Sequence, residues 1–219
     1  MPIDRVLSAF PSKFFQAVME GVDAGFMKAA KLTEANIAEP ERVATLGQLR
    51  HACTEEAFRD AANEAGISAL AAHTEPAGGR FSLISSGGVY LIRSNIQTHC
   101  GPPRPCRFRR QWAALNAWLS PLQFSLLESL EEPPSDRLCG MLVVSASGKF
   151  GDPTLPAFVG LGIPSADLTA WKFLRPLTDV LTMYHDLETE QRTPGEPPIE
   201  IKDQARPKLK RRNKDGEEK

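Results

Sequence analysis

The chain has 219 residues, 42% hydrophobic and 24% charged, with a formal net charge of −1. That is ordinary globular composition, long enough for a full hydrophobic core, and it excludes a uniformly basic or acidic chain. Four scattered cysteines, an N-terminus without a basic-then-apolar signal pattern, and no run near the ~18 apolar residues of a membrane span lead us to expect a soluble cytoplasmic protein with no membrane contact.

Residues 12–31 carry apolar side chains at Phe15, Val18, Val22, Phe26 and Ala29, one face of an amphipathic helix, with Ser12 after Pro11 as its expected N-cap. Gly21 and Gly25 lie one turn apart in it and cost helix propensity, which predicts close backbone packing on that side. A second helix fits residues 40–53, with Pro40 in its first turn. A third fits residues 55–65, with Thr54 as N-cap and Gly66 as the stop.

The period then shortens. RFSLIS (80–85) and VYLIRS (89–94) alternate around Ser86-Gly87-Gly88 and predict a β-hairpin. After a proline-rich loop, residues 109–119 read as a helix with Trp112, Leu115 and Leu119 on one face. CGMLVVSAS (139–147) and AFVGLGI (157–163) are apolar runs of strand length. Residues 167–187 read as a closing helix, with Trp171, Leu174, Leu181 and Tyr184 on its core stripe. Pro176 should kink it or mark its true start. From residue 187 the composition loses its aromatic and most aliphatic residues, which predicts a disordered charged tail over 187–219. The whole reads as one α+β domain over 1–186, a helical pack through 75 followed by a small, mostly antiparallel sheet with flanking helices.

The near-zero net charge hides a segregation. Residues 1–75 hold seven basic and eleven acidic side chains, and residues 128–186 hold four and eight. Between them, residues 76–127 contain no Asp, Glu or Lys, yet hold six arginines: Arg80, Arg93, Arg104, Arg107, Arg109 and Arg110. The planar guanidinium binds carboxylate and phosphate bidentately, so this segment suits a surface facing an acidic protein or a nucleic-acid backbone. The plainer alternative is buried sheet, poor in charge anyway, whose arginines pair with the acid-rich flanks.

The proline-rich loop THCGPPRPCRFRR (98–110) contains metal-compatible side chains, as does the pair His51 and Cys53. Cys100 and Cys106 are not followed by a second ligand pair, and His51 and Cys53 sit two apart on an expected helix, facing different ways. No metal or cofactor is therefore expected. Catalysis by Cys100 or Cys106 with His99 or His185 has no spacing to support it, and neither GxSxG nor HExxH occurs. The glycines of SSGGVY and SGKFGD match no phosphate-loop pattern and suit turns. Three helices and a hairpin is also the order of a winged helix, but Glu55, Glu56, Asp60 and Glu64 on the third helix would repel DNA phosphates.

The expected function is accordingly non-enzymatic: a regulatory or accessory protein that binds an acidic protein partner or nucleic-acid backbone through the arginine segment. Trp112 would serve as an aromatic anchor, and Lys208, Lys210, Arg211 and Arg212 of the tail would add loose, non-specific attraction. The alternative is a divalent-metal nuclease. Glu200-Ile201-Lys202 supplies half of such a signature, and the partner acids would come together only in the fold.

Overall fold

A computed structural model describes residues 1–74, 78–96, 101–119, 136–146 and 151–191. The chain opens with helix α1 (Pro2–Ala9), which the sequence reading did not anticipate and which buries Ile3 and Val6. Helix α2 (Ser12–Asn36) follows the expected stripe, burying Phe14, Phe15, Val18, Val22, Phe26 and Ala29. Its N-cap is Pro11, and Ser12 is already helical, so the expected serine cap does not form.

Helix α3 (Arg42–Glu64) merges the two helices expected at 40–53 and 55–65. Thr54 is no N-cap: its hydroxyl donates to the Arg50 carbonyl one turn back, 2.7 Å away, so the helix runs through it. Pro40 lies in the turn before the helix rather than in its first turn. Gly66 does end it in the left-handed region (φ 72°), its N–H on the Asn63 carbonyl and that of Ile67 on Ala62. The small residues bring α2 and α3 together as expected: a Cβ at Gly21 would lie 3.0 Å from the Ala57 Cβ.

Six strands form one sheet in chain order, β1 (Ser68–His73), β2 (Arg80–Ser86), β3 (Val89–Asn95), β4 (Leu138–Ala146), β5 (Pro156–Pro164) and β6 (Trp171–Pro176). All neighbours are antiparallel except the central pair β3–β4. The β2–β3 hairpin turns at Gly87-Gly88, both at positive φ, as a two-residue turn between right-twisted strands requires. Strand β1 is a further addition to the expected elements, so the sheet begins at 68 rather than 76.

The helix expected at 167–187 is half strand. Asp167 accepts bonds from the Ser165 hydroxyl (2.6 Å) and from the Thr169 N–H and hydroxyl, and these hold its carboxyl down at about 2. That turn, with Leu168 at φ 62°, sends the chain back along β5 as β6. Helix α5 (Leu177–Gln191) begins directly after Pro176, and it passes the expected start of the tail at 187. Residues 192–219 lie outside the described residues.

The sheet is covered on both faces, which is why β4 is buried along nearly its whole length. One face carries Ile84, Val89, Leu91, Leu142, Val144, Leu161 and Ile163 against α1, α2, α3 and α5, in a core led by Phe10, Phe14, Phe15 and Phe58. The other carries Phe81, Ile92, Cys139, Met141 and Val143 under helix α4 (Arg107–Ala113) and the 3-10 turn Ala114–Leu119. The architecture is thus α+β as expected, but not a winged helix: the expected second and third helices are one element, packed on a six-stranded sheet. Among the described residues no helix is long and apolar enough to cross a membrane.

Candidate binding site

In β3, Val89, Leu91 and Arg93 share the face that packs on the helices, while Ile92 faces α4. Arg93 is therefore carried into the core, where it is only 4% exposed, and it does not belong to the arginine surface expected from the sequence. Its partner is Glu55 of α3: Arg93 Nε donates to Glu55 Oε1 at 2.8 Å. The second carboxylate oxygen accepts the Ser82 backbone N–H of β2 at 2.7 Å, and the Ser82 hydroxyl receives a bond from Arg59 Nη1 at 2.8 Å. Arg93 also donates to Asn95 Oδ1 and meets His51 Nδ1.

Burial pushes the Glu55 carboxyl up, but the Arg93 guanidinium and the bonds from Ser82 and Arg93 outweigh it and hold it below its ordinary value. Partial burial, followed by Arg93, lowers His51, whose side chain is still half-exposed; Glu55 opposes and Arg109 reinforces the shift. The acidic flank thus does pair with an arginine of the acid-free segment here.

The remaining arginines divide by exposure. Arg104, Arg107 and Arg110 are exposed on the proline-rich loop and on α4, and Arg80 is exposed at the start of β2, opposite His73 of the edge strand. None of these four makes an ion pair with a described residue. Arg109 is half-buried and works inward: Nη1 donates to the Arg104 carbonyl at 3.1 Å and Nε to the Arg93 carbonyl at 3.4 Å. Burial lowers its guanidinium below the ordinary value, and the adjacent Arg93 and Arg104 add to that. Arg109 therefore fastens the loop to the end of β3.

Other contacts hold the same platform. Trp171 Nε1 donates to the Gly101 carbonyl (2.8 Å), Phe81 stacks on Phe108 (centroids 4.5 Å apart), and Trp112 lies against Tyr90 at 5.1 Å. Trp112 is half-buried in that contact, so it supports α4 as well as reaching solvent. Below it, Asn116 is fully buried. Its amide donates to the Cys139 and Pro164 carbonyls (2.9 and 2.8 Å), and its oxygen accepts the Cys139 N–H (2.8 Å), tying the crossover to β4 and β5.

Of the remaining sequence candidates, His99 and Cys100, Glu200 to Lys202, and the tail residues Lys208, Lys210, Arg211 and Arg212 lie outside the described residues. Cys53 and Cys139 are buried, and burial raises both thiols, that of Cys139 far beyond the range of a reactive thiolate. Among the described residues no three His, Cys, Asp or Glu side chains come together in a way that could hold a metal ion.

Sequence reading missed Arg50 and the role of Glu55. Strand parity in VYLIRSN offered one signal for Arg93, since it falls in step with Val89 and Leu91. Both faces of that strand are apolar, however, and parity alone does not say which face meets a carboxylate. The chain matches no family model, no curated protein and no solved structure at a significant level.

Proposed function

We propose that the protein is a non-enzymatic accessory or regulatory component that docks an acidic protein surface through Arg104, Arg107 and Arg110, in a cytoplasmic setting. The observation that carries this reading is that these three guanidiniums are exposed and without an acidic partner among the described residues, on a platform fastened by Arg109, Trp171 and the Phe81–Phe108 stack. A preorganised basic face loses little entropy on binding, which favours affinity.

Placement of the charges adds support. Arg107 opens α4 and no acid lies in its first turn, an arrangement that costs the helix a few tenths of a kcal/mol against its dipole. Charges kept where they weaken local structure favour a role outside the fold. A protein partner is preferred over nucleic acid because prolines (Pro102, Pro103, Pro105) and Ile96 line a groove beside Arg104, a mixed apolar and basic surface suited to an acidic peptide with apolar side chains. The basic tail would add salt-sensitive attraction.

The test is affinity capture from the native host at low salt, with and without nuclease treatment, comparing the wild type with Arg104→Ala/Arg107→Ala/Arg110→Ala. The triple variant should keep its melting temperature and lose its protein partners. Partners retained at wild-type level would overturn the reading. Partners lost on nuclease treatment would redirect it to nucleic acid.

A further inference from the structure

The central strands β3 and β4 run parallel and end together, and a cavity of about 140 Å³ lies at that end. Open parallel α/β sheets receive ligands beyond the carboxyl ends of their strands, where departing loops leave a crevice, and this single parallel pair leaves an opening of the same kind. Here Phe26 of α2 and Val144 of β4 form a buried apolar floor. Arg50 and His51 of α3, with Arg93 and Asn95 of β3, supply its charged and polar wall.

Among the described residues, the charges around this cavity do not balance. Arg50 and Arg93 bring two guanidiniums to its wall, and Arg109 lies beside them, bonded to the Arg93 carbonyl. Of the described carboxylates, Glu55 is committed to Arg93, and Asp152, which faces Arg50, accepts the N–H and hydroxyl of Thr154 at 2.7 and 2.6 Å. Burial lowers the Arg50 guanidinium, with Asp152 only partly opposing. Arg50 is also incompletely used. One terminal nitrogen donates to the Pro153 carbonyl and its plane lies over the Phe26 ring at 5.0 Å. Its Nε, however, is shut off from solvent with no hydrogen-bond partner among the described residues. A buried, unsatisfied donor on a cation is costly, and a small turn of the Arg50 side chain toward an entering oxyanion would satisfy it.

We propose that this cavity binds a short organic anion, its carboxylate or phosphate held by Arg50 and Arg93 and its apolar body resting on Phe26 and Val144. The cavity adjoins the groove beside Arg104, sharing Asn95 and Ile96 with it, but Arg104, Arg107 and Arg110 do not line it. It needs neither the partner nor the surface proposed above.

The test uses the full chain at neutral pH and low salt, titrated with butyrate, inorganic phosphate and butyramide while backbone and arginine Nε resonances are followed by NMR. Butyrate or phosphate should bind saturably at millimolar concentration, shifting Arg50 Nε and residues 93–95, and neutral butyramide should not. Tighter butyrate would assign a carboxylic acid, and tighter phosphate a phosphate ester. Arg50→Met keeps the stem over Phe26 and should weaken the anion about tenfold or more, the loss of one charge-assisted contact. Arg104→Ala/Arg107→Ala/Arg110→Ala should bind the anion as the wild type does. If Arg50→Met does not fold, Arg50→Lys, which keeps the charge and lacks Nε, should still weaken binding several-fold. Absence of saturable shifts with both anions, equal binding of butyramide, or wild-type affinity in the folded Arg50 variant would overturn the proposal.

Discussion

Replacing Glu55 by alanine should destabilise the fold by about 3–5 kcal/mol, whereas the same change at the adjacent Glu56 should leave the unfolding midpoint nearly where it is. Glu55 is 6% exposed and accepts two bonds, from Arg93 Nε at 2.8 Å and from the Ser82 N–H at 2.7 Å. A hydrogen bond between charged groups contributes about 1.5–3 kcal/mol and an orphaned buried N–H costs about 1–3 kcal/mol, so the two losses alone reach the predicted range. The Arg93 guanidinium, left in the core without its counter-charge, pushes the cost toward the upper end. Against a typical domain stability of about 5–15 kcal/mol this is a large fraction. Glu56 meets Lys28 at 3.1 Å with both side chains more than half exposed, where solvent screens the pair.

Guanidinium chloride unfolding, followed by the fluorescence of Trp112, Trp118 and Trp171, measures both variants; a common slope keeps the comparison of midpoints valid. A Glu55→Ala variant within about 1 kcal/mol of wild type would refute the assignment of this pair as the buried joint between α3 and the sheet. Glu55→Leu/Arg93→Met supplies the cycle. It should recover most of the loss, since an apolar pair of similar volume is often as stable as a buried ion pair. Additive losses would mean that the two side chains do not act together.

The same joint sets the acid limb of stability. Glu55 and His51 both have folded-state values below their unfolded ones, so each contributes stability above its unfolded pKa that is lost as pH falls. Melting temperature should therefore decline first below about pH 6.5, as the unfolded His51 takes up a proton, and again below about pH 4.5 through Glu55; His51→Gln should flatten the first step alone. Asn116→Ala removes three bonds to β4 and β5 and strands the Cys139 N–H, which should cost on the order of 3 kcal/mol in denaturant unfolding. Gly160→Ala would place a Cβ 2.6 Å from the Arg175 carbonyl of β6 and 2.4 Å from the Phe158 ring. Because the carbonyl cannot swing aside, a loss of about 1–3 kcal/mol is expected, with faster amide exchange along β5–β6.

Much of the local structure is legible because its causes are local. The stripe from Phe15 to Ala29 makes α2, the Gly87-Gly88 pair makes the hairpin turn, and Gly66 ends α3 in the one region where glycine has an advantage. The failures share a cause as well. Thr54 looks like a cap, yet as a buried residue it spends its hydroxyl on the preceding turn, and packing of Cys53, Thr54 and Glu55 against neighbours carries the helix onward. Trp171 and Leu174 fit a helical stripe, yet the Asp167 turn commits them to a strand; only the expectation that Pro176 marks the true start of the helix holds. Strand β1, SALAAH, has too weak a period to declare itself without β2 beside it.

The charge segregation was determined by the sequence alone: an acid-free run with six arginines is a property of composition, and no fold can add a carboxylate to it. Which of those arginines meet solvent was decided by the tertiary structure. Glu55 and Glu56 are neighbours of the same type, but the turn of α3 aims one at the core and leaves the other in water. Arg93 and Glu55 lie 38 positions apart and find each other only because the sheet packs on that face of α3. Arg50, outside the acid-free segment, joins them at the end of the parallel strands for the same reason. Burial and long-range pairing depend on how elements dock, and that information is spread over the whole chain rather than carried by any short stretch of it.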